Sequence, residues 1–165
     1  MLMSEETRLQ LNELVRVSFE ANAVVDNFAY NLAYYDYPNI EKVVHESFAH
    51  KFPEFADIIS DMMIELDARP VRLGIGMHDK DYEGDLTEIF KDNLGMCEQY
   101  RLAIIQGIEV AELNEDYEVK IKLEEFLTMF NNYRKQASVW HKFAIRYEGD
   151  YKSFDVHFEE FTKYI

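Results

Sequence analysis

Large apolar side chains recur at steps of three and four residues along most of the chain, with polar side chains between them. This spacing places the apolar side chains on one face of an α-helix, whose period is about 3.6 residues. The pattern predicts four long helices, over residues 5–36, 39–67, 85–113 and 116–147, and a short helix near the C-terminus. The apolar side of the second helix consists of Phe48, Phe52, Phe55, Ile59, Met62 and Leu66.

Residues that cap or break helices mark the ends of these segments. Ser4 and Asp85 precede the first and third helices, and their side-chain oxygens can accept hydrogen bonds from free backbone N–H groups. Ser153 is in a position to cap the short terminal helix in the same way. Pro53 lies inside the second helix, where its missing N–H predicts a kink.

The longest stretch without helical periodicity runs from Ala68 to Gly84 and contains three glycines. A loop of these 17 residues reaches roughly 55 Å when extended, and a helix of 30 residues is roughly 45 Å long. The loop can therefore cross the full length of a helix bundle. Four long helices with one long crossover predict an all-α, ferritin-like four-helix bundle over residues 1–148, followed by a C-terminal extension over 149–165.

The composition fits a helical domain with an acidic surface. The chain has 165 residues, only 6 glycines and 3 prolines, and a formal net charge of −15. Such a surface repels phosphate backbones, so direct DNA binding is disfavoured, whereas metal ions and basic partners are attracted. Cys97 is the only cysteine and no apolar run is long enough to span a membrane, so we expect a cytoplasmic protein.

A second stripe follows the predicted second helix on the side opposite the apolar face. It consists of Glu46, His50, Glu54, Asp57, Asp61 and Glu65. On one interpretation this stripe faces water, as in any amphipathic helix. On the other it faces a neighbouring subunit and holds iron, because carboxylates with an occasional imidazole suit Fe(II). No Lys or Arg lies between Phe52 and Ala68, so these acids need a cation or a partner to offset their repulsion.

Several segments resemble the Dps proteins, the mini-ferritins of bacteria that bind iron and protect DNA. The resemblance covers residues 9–145 and rests on the order and spacing of four segments. They are Leu11-Asn12-Glu13-Leu14-Val15, Asn27-Phe28-Ala29-Tyr30, Asp57 to Asp61 with Leu66-Asp67-Ala68-Arg69-Pro70 after it, and Lys135-Gln136-Ala137-Ser138-Val139-Trp140.

The resemblance implies a hollow homododecamer built from twofold dimers, with a ferroxidase site between two subunits and iron as the metal. The ligands that it implies are Glu46, Asp57 and Asp61, with His45 and His50 as further candidates. The chain departs from the family pattern at two histidine positions, where Ala29 or Tyr30 and Lys42 stand instead. The termini also lack the lysine-rich tail with which many Dps proteins bind DNA, so no DNA-binding residue is predicted.

Two functions of the mini-ferritin kind are therefore open, beside a third option of a monomeric or dimeric helical bundle that binds a basic partner. The first is a Dps-like iron-storage protein that oxidises and sequesters Fe(II) and protects against oxidative stress. The second is a mini-ferritin-like structural or interaction protein that has lost ferroxidase activity along with the two histidines. Outside the metal ligands, the sequence indicates no catalytic residue.

Overall fold

The computed structural model describes residues 1–165, which form helices joined by loops without any strand. The elements are α1 (Glu5–Tyr34), α2 (Pro38–Val43), a π-helical segment (Val44–Ala49), α3 (Lys51–Glu65), α4 (Leu86–Leu113), α5 (Tyr117–Arg146), α6 (Tyr151–His157) and a final 3-10 turn (Phe158–Phe161). Helix α4 packs against α5, and α1 packs against both α3 and α4. The prediction of an all-α four-helix bundle with one long crossover and a short C-terminal helix is confirmed. None of these helices has the length and apolar character needed to cross a membrane.

The helix caps follow the sequence at two of three places. The Ser4 side chain accepts a hydrogen bond from the Thr7 N–H, and Asp85 accepts one from the Glu88 N–H. The prediction that Ser153 caps the terminal helix is wrong. Asp150 caps α6, and the backbone N–H of Ser153 is the donor to it.

The second helix of the bundle is interrupted, although its apolar pattern predicts one helix over residues 39–67. Pro53 has no N–H to donate to the carbonyl of Ala49, four residues earlier. Instead, that carbonyl accepts a hydrogen bond from Asn22 Nδ2 on α1 at 2.9 Å. Immediately before this point the chain widens into the π-helical segment, where the His50 N–H donates to the His45 carbonyl at 3.2 Å. The kink predicted at Pro53 therefore takes the form of a π segment between α2 and α3.

Aromatic rings fill the centre of the bundle. The Tyr100 ring centroid lies 5.2 Å from that of Phe52 and 4.8 Å from that of Phe130, within the range for favourable ring contacts. The Tyr100 hydroxyl is 2.6 Å from Ser18 Oγ, which satisfies the one polar group of this cluster. No Glu or His is among the buried residues, so the interior carries neither of these metal-ligating side chains.

The crossover between α3 and α4 is held along α1 by polar side chains. Asn12 Oδ1 accepts the Val71 N–H and Asn31 Oδ1 accepts the Tyr82 N–H, each at 2.8 Å. Between these points Glu20 accepts the Gly76 N–H at 3.0 Å. The crossover therefore follows one side of α1, whereas Asn22 and Asp26 lie on the side of α1 that faces the π segment.

The C-terminal segment packs onto the bundle and supports the start of α2. The rings of Phe154 and Phe158 are fully buried and pack on Phe90. The buried carboxylate of Asp155 accepts the Ile40 N–H at 2.9 Å, which satisfies a free donor in the first turn of α2. The end of the chain thereby fixes the position of the helical segment that leads into the π turn.

Candidate metal centre

One carboxylate and two imidazoles converge beside the π-helical segment. Asp26 comes from α1, His45 from the second position of the π segment, and His50 from the residue that ends it. One ligand atom from each of the three residues lies within 4.8 Å of the others. Asp26 and His45 are half-buried and His50 is exposed, so the site opens to the surface.

The π segment is what brings the two histidines together. In an α-helix, residues five apart are separated by about 140° around the axis and lie on different faces. In a π turn the backbone bond joins residues five apart, so their side chains stack on one side. The ring centroids of His45 and His50 are accordingly only 4.5 Å apart.

The carboxylate of Asp26 has a buried oxygen without a hydrogen-bond partner. Oδ1 is inaccessible to solvent and accepts no hydrogen bond, and it lies 3.8 Å from His45 Nε2. Burial raises the pKa of Asp26, although the nearby His45 and His50 act in the opposite direction. A buried acceptor without a partner costs stability, and a bound cation would supply the missing interaction.

Glu41 holds the other side of the His45 ring. Its Oε1 lies 3.4 Å from His45 Nδ1, one helical turn away. A proton on Nδ1 facing Glu41 leaves the lone pair of Nε2 directed toward Asp26, which is the form of histidine that binds metals. Glu41 therefore lies beside the ring of a candidate ligand and is not itself part of the cluster.

The donor set and its spacing fit a single transition-metal ion. Two ligand atoms that each lie about 2.1 Å from one metal are about 3–4 Å apart, and the distance of 3.8 Å from Asp26 Oδ1 to His45 Nε2 falls in that range. Two histidines and one carboxylate with open positions are the donor set that non-haem Fe(II) centres use. The residue types therefore suit a mononuclear Fe(II) ion, at a site that opens to the surface and whose three ligand atoms lie within 4.8 Å of one another.

The structure brings together only some of the residues that the sequence predicted as ligands. His45 and His50 meet, whereas Glu46, Asp57 and Asp61 are exposed and lie outside the cluster. The ligand roles of these three acids, implied for a site shared between subunits, stay predictions.

Asp26 and Glu41 were not predicted, because a single acid on a helix gives no signal of its own. The signal for the site lay in Pro53, three residues after His50, since a missing backbone donor is one cause of a local change in helix winding.

The bundle interior does not fit the dinuclear centre of ferritin-like di-iron proteins. In those proteins glutamates and Glu-x-x-His pairs project inward from the four helices. Here the corresponding space is filled by Phe52, Phe55, Tyr100 and Phe130. No chemistry of an interior dinuclear centre follows from these residues.

The other three histidines, His78, His141 and His157, belong to no group of three potential ligands. His78 pairs with Glu20 at 2.8 Å and His157 pairs with Glu160 at 3.3 Å. No second imidazole joins either pair within ligand distance, and the Asp26–His45–His50 cluster is the single group of three or more potential ligands in the chain.

Comparisons with known proteins identify the fold. No protein-family model matches the sequence, and no curated protein is similar to it. Among solved structures, the chain is similar to a ferritin, the PmFTN variant whose crystals were soaked in iron overnight, with a TM-score of 0.84 at 17% sequence identity. The superposition covers 93% of this chain and 98% of that chain. The chain therefore has a ferritin-like four-helix-bundle fold.

Proposed function

We propose that this protein binds Fe(II) at the Asp26–His45–His50 centre and serves as a mini-ferritin of the Dps type. In this role it oxidises and sequesters iron and thereby protects against oxidative stress. The resemblance to Dps proteins supports a homododecamer built from twofold dimers, and the ferritin-like fold is compatible with it. Iron is the cargo of this function, and the centre is where it first binds.

One observation carries the proposal. Asp26 Oδ1 is buried, has no hydrogen-bond partner, and lies beside two imidazoles that a π segment brings onto one side. Nearly all buried polar groups in folded proteins have a partner. The amide of Asn93 also lacks one, but only Asp26 belongs to a cluster with two histidines. A metal ion satisfies all three side chains at once.

Anaerobic titration of the purified protein with Fe(II), followed by peroxide while ferric absorbance is recorded, tests the proposal. We expect saturable binding of one Fe(II) per chain, and fast oxidation without precipitation. His45→Gln and His50→Gln should each lose this binding. His78→Gln is the matched control, because His78 also pairs with an acid but has no second histidine beside it.

The Dps resemblance predicts instead that Asp57 and Asp61 bind iron across the subunit interface. Asp57→Asn and Asp61→Asn should then lower the iron stoichiometry as much as His45→Gln does. Full iron binding by the two Asn variants would show that Asp57 and Asp61 are not iron ligands. Unchanged iron binding by the His45→Gln and His50→Gln variants would refute the proposed centre.

A ferritin-like structural or interaction protein is the second candidate function. The two histidine positions of the Dps pattern at which Ala29 or Tyr30 and Lys42 stand favour it, since a ferroxidase site between subunits would lack those ligands. Under this alternative, Fe(II) added to the protein oxidises at the rate seen in buffer alone, and variants of the Asp26–His45–His50 centre behave as wild type.

A further inference from the structure

Positive charge is concentrated on one half of α5, although the chain as a whole is strongly acidic. The chain has 17 Lys and Arg residues against 32 Asp and Glu residues. Residues 126–147 nevertheless contain Arg134, Lys135, Lys142 and Arg146 and no acid. By contrast, residues 52–68 on and after α3 contain five acids and no Lys or Arg.

The cations of α5 line a groove between α4 and α5, here called the basic groove. It has a volume of about 840 Å³ and is lined by Arg101, Leu102, Asn131, Arg134, Lys135, Ser138, Val139 and Lys142, with Glu98 at one side. Arg134 pairs with Glu98 at 3.3 Å, and no carboxylate pairs with Arg101, Lys135 or Lys142. The floor includes Leu102, whose side chain is 47% exposed. The groove therefore offers unpaired positive charge beside an apolar strip.

The opposite surface is a groove between α3 and α5 with an acidic rim, here called the acidic groove. Its apolar floor contains Ile58, Met62 and Met129, and its rim carries Asp61, Glu65 and Glu125. Ile58 is 50% exposed. Asp57 and Asp61 have no cationic partner within the chain, whereas Glu65 pairs with Lys122 at 2.8 Å.

The row of acids on α3 and the α5 side of the basic groove match in length and are opposite in charge, but the acidic and basic grooves lie on opposite sides of α5. Glu54 to Glu65 spans 11 residues, or about 16 Å of helix, and Asn131 to Lys142 spans the same number. On α5, the residues that line one groove and those that line the other are separated by about half a turn around the helix axis. A single chain cannot bring its two grooves together, but a second copy can.

We infer that the basic groove of one copy binds a second copy on the face of α3 that carries Asp57, Ile58 and Asp61. Lys135 and Lys142 would then be the cations that offset Asp57 and Asp61, and the exposed Ile58 would lie against the apolar floor of the neighbour. Because the two contacting surfaces differ, the contact is heterologous. The pair keeps one free groove of each kind, so further copies can add through the same contact, and the assembly closes as a ring if the rotation between neighbours closes.

A second copy would supply the cation that Asp57 and Asp61 lack within the chain, whereas Glu54 pairs with Lys51 and Glu65 with Lys122. Charged groups of one sign on one face repel each other unless a partner compensates them. The basic groove, which is lined by four cations and one acid, lies in the same chain. Electrostatic complementarity of this kind selects the partner and fixes its register.

Charge reversal with rescue tests the contact. We expect wild-type protein to form a large assembly by light scattering, and the double variant Lys135→Glu/Lys142→Glu to lose it. Asp57→Lys/Asp61→Lys should lose it as well, and a mixture of the two double variants should recover an assembly. Lys91→Glu is the matched control, because Lys91 is exposed and unpaired but lies outside the groove. Helix content and melting temperature identify any variant that fails to fold.

Zero-length carbodiimide crosslinking of mixed ¹⁴N- and ¹⁵N-labelled protein gives a second readout that needs no substitution. Mixed-isotope links between Lys135 or Lys142 and Asp57 or Asp61 are expected, and they should decrease between about 0.15 M and 1 M salt, where the screening length falls from about 8 Å to about 3 Å. The absence of such links in an assembled protein would overturn the inference. So would an assembly that survives both charge reversals, or a wild-type monomer whose basic groove binds a nucleic acid instead.

Discussion

Replacement of Asp26 by Asn should stabilise the metal-free protein and abolish its response to metal. The substitution keeps the shape of the side chain and removes a charge that is half-buried, with one oxygen that has no donor. The amide can turn its NH2 group toward His45 Nε2, in the position of Oδ1, and so replace a buried acceptor without a partner, a group that costs about 1–3 kcal/mol. We therefore expect Asp26→Asn to raise the free energy of unfolding of the metal-free protein by about 1 kcal/mol.

The pH dependence of this gain follows from the pKa of Asp26. Burial raises that pKa above the ordinary value of 3.8, so the folded state binds the proton more tightly than the unfolded state. Ionised Asp26 therefore destabilises the folded protein, and this cost has its full value at pH values above the raised pKa. This cost declines as the pH falls through the raised pKa, and it disappears below 3.8. The stability difference between Asp26→Asn and wild type should follow the same course.

Whereas Asp26→Asn should stabilise the metal-free protein, it should reduce the stabilisation that Fe(II) gives. A ligand at 100 times its dissociation constant stabilises the protein that binds it by about 2.7 kcal/mol. For a chain of this size that corresponds to a rise in melting temperature of about 5–11 °C. Wild type should show this rise with Fe(II) under anaerobic conditions, whereas Asp26→Asn should show almost none.

Thermal unfolding with and without Fe(II), for wild type, Asp26→Asn and the exposed control Asp61→Asn, checks both effects. Compared with wild type, Asp26→Asn should have a higher melting temperature without metal and a lower melting temperature with Fe(II). A variant that is less stable without metal would mean that Asp26 has a structural partner. A variant that is stabilised by Fe(II) as much as wild type would mean that iron binds elsewhere.

Three further predictions concern the surroundings of the centre and the core. Asn22→Ala removes the donor that satisfies the Ala49 carbonyl, so it should lower the free energy of unfolding by about 1 kcal/mol in chemical denaturation. Burial raises the pKa of the Cys97 thiol, so a thiol reagent at mildly alkaline pH should leave the folded protein unmodified and react after denaturation. The hydrogen bond that Tyr35 donates to Asp81 raises the pKa of Tyr35 to about 12. Asp81→Asn should therefore return one tyrosine in an absorbance titration toward 10.0, the ordinary pKa of its side chain.

The helices and the crossover could be predicted from the sequence because they depend on periodicity and on local caps. Phe48, Phe52 and Phe55 repeat at helical spacing, and all three are buried in the core as that spacing requires. Ser4 and Asp85 cap their helices through hydrogen bonds that reach only three residues along the chain. Such local features do not need knowledge of the rest of the fold.

The candidate centre could not be predicted in the same way, because it depends on a change of helical period and on a contact between helices. At α-helical spacing, His45 and His50 lie on different faces, and only the π segment before Pro53 stacks them. Asp26 joins them from α1, 19 residues before His45, and nothing in its sequence neighbourhood distinguishes it from other helical acids. The buried Asp155, which caps α2 from the far end of the chain, was missed for the same reason.

Anomalous X-ray diffraction at the iron edge, from crystals exposed to Fe(II) without oxygen, tests the central claim most directly. The account predicts one iron peak in each chain, bounded by Asp26, His45 and His50. Iron found instead beside Asp57 and Asp61 at a subunit interface, or no bound iron, would contradict it.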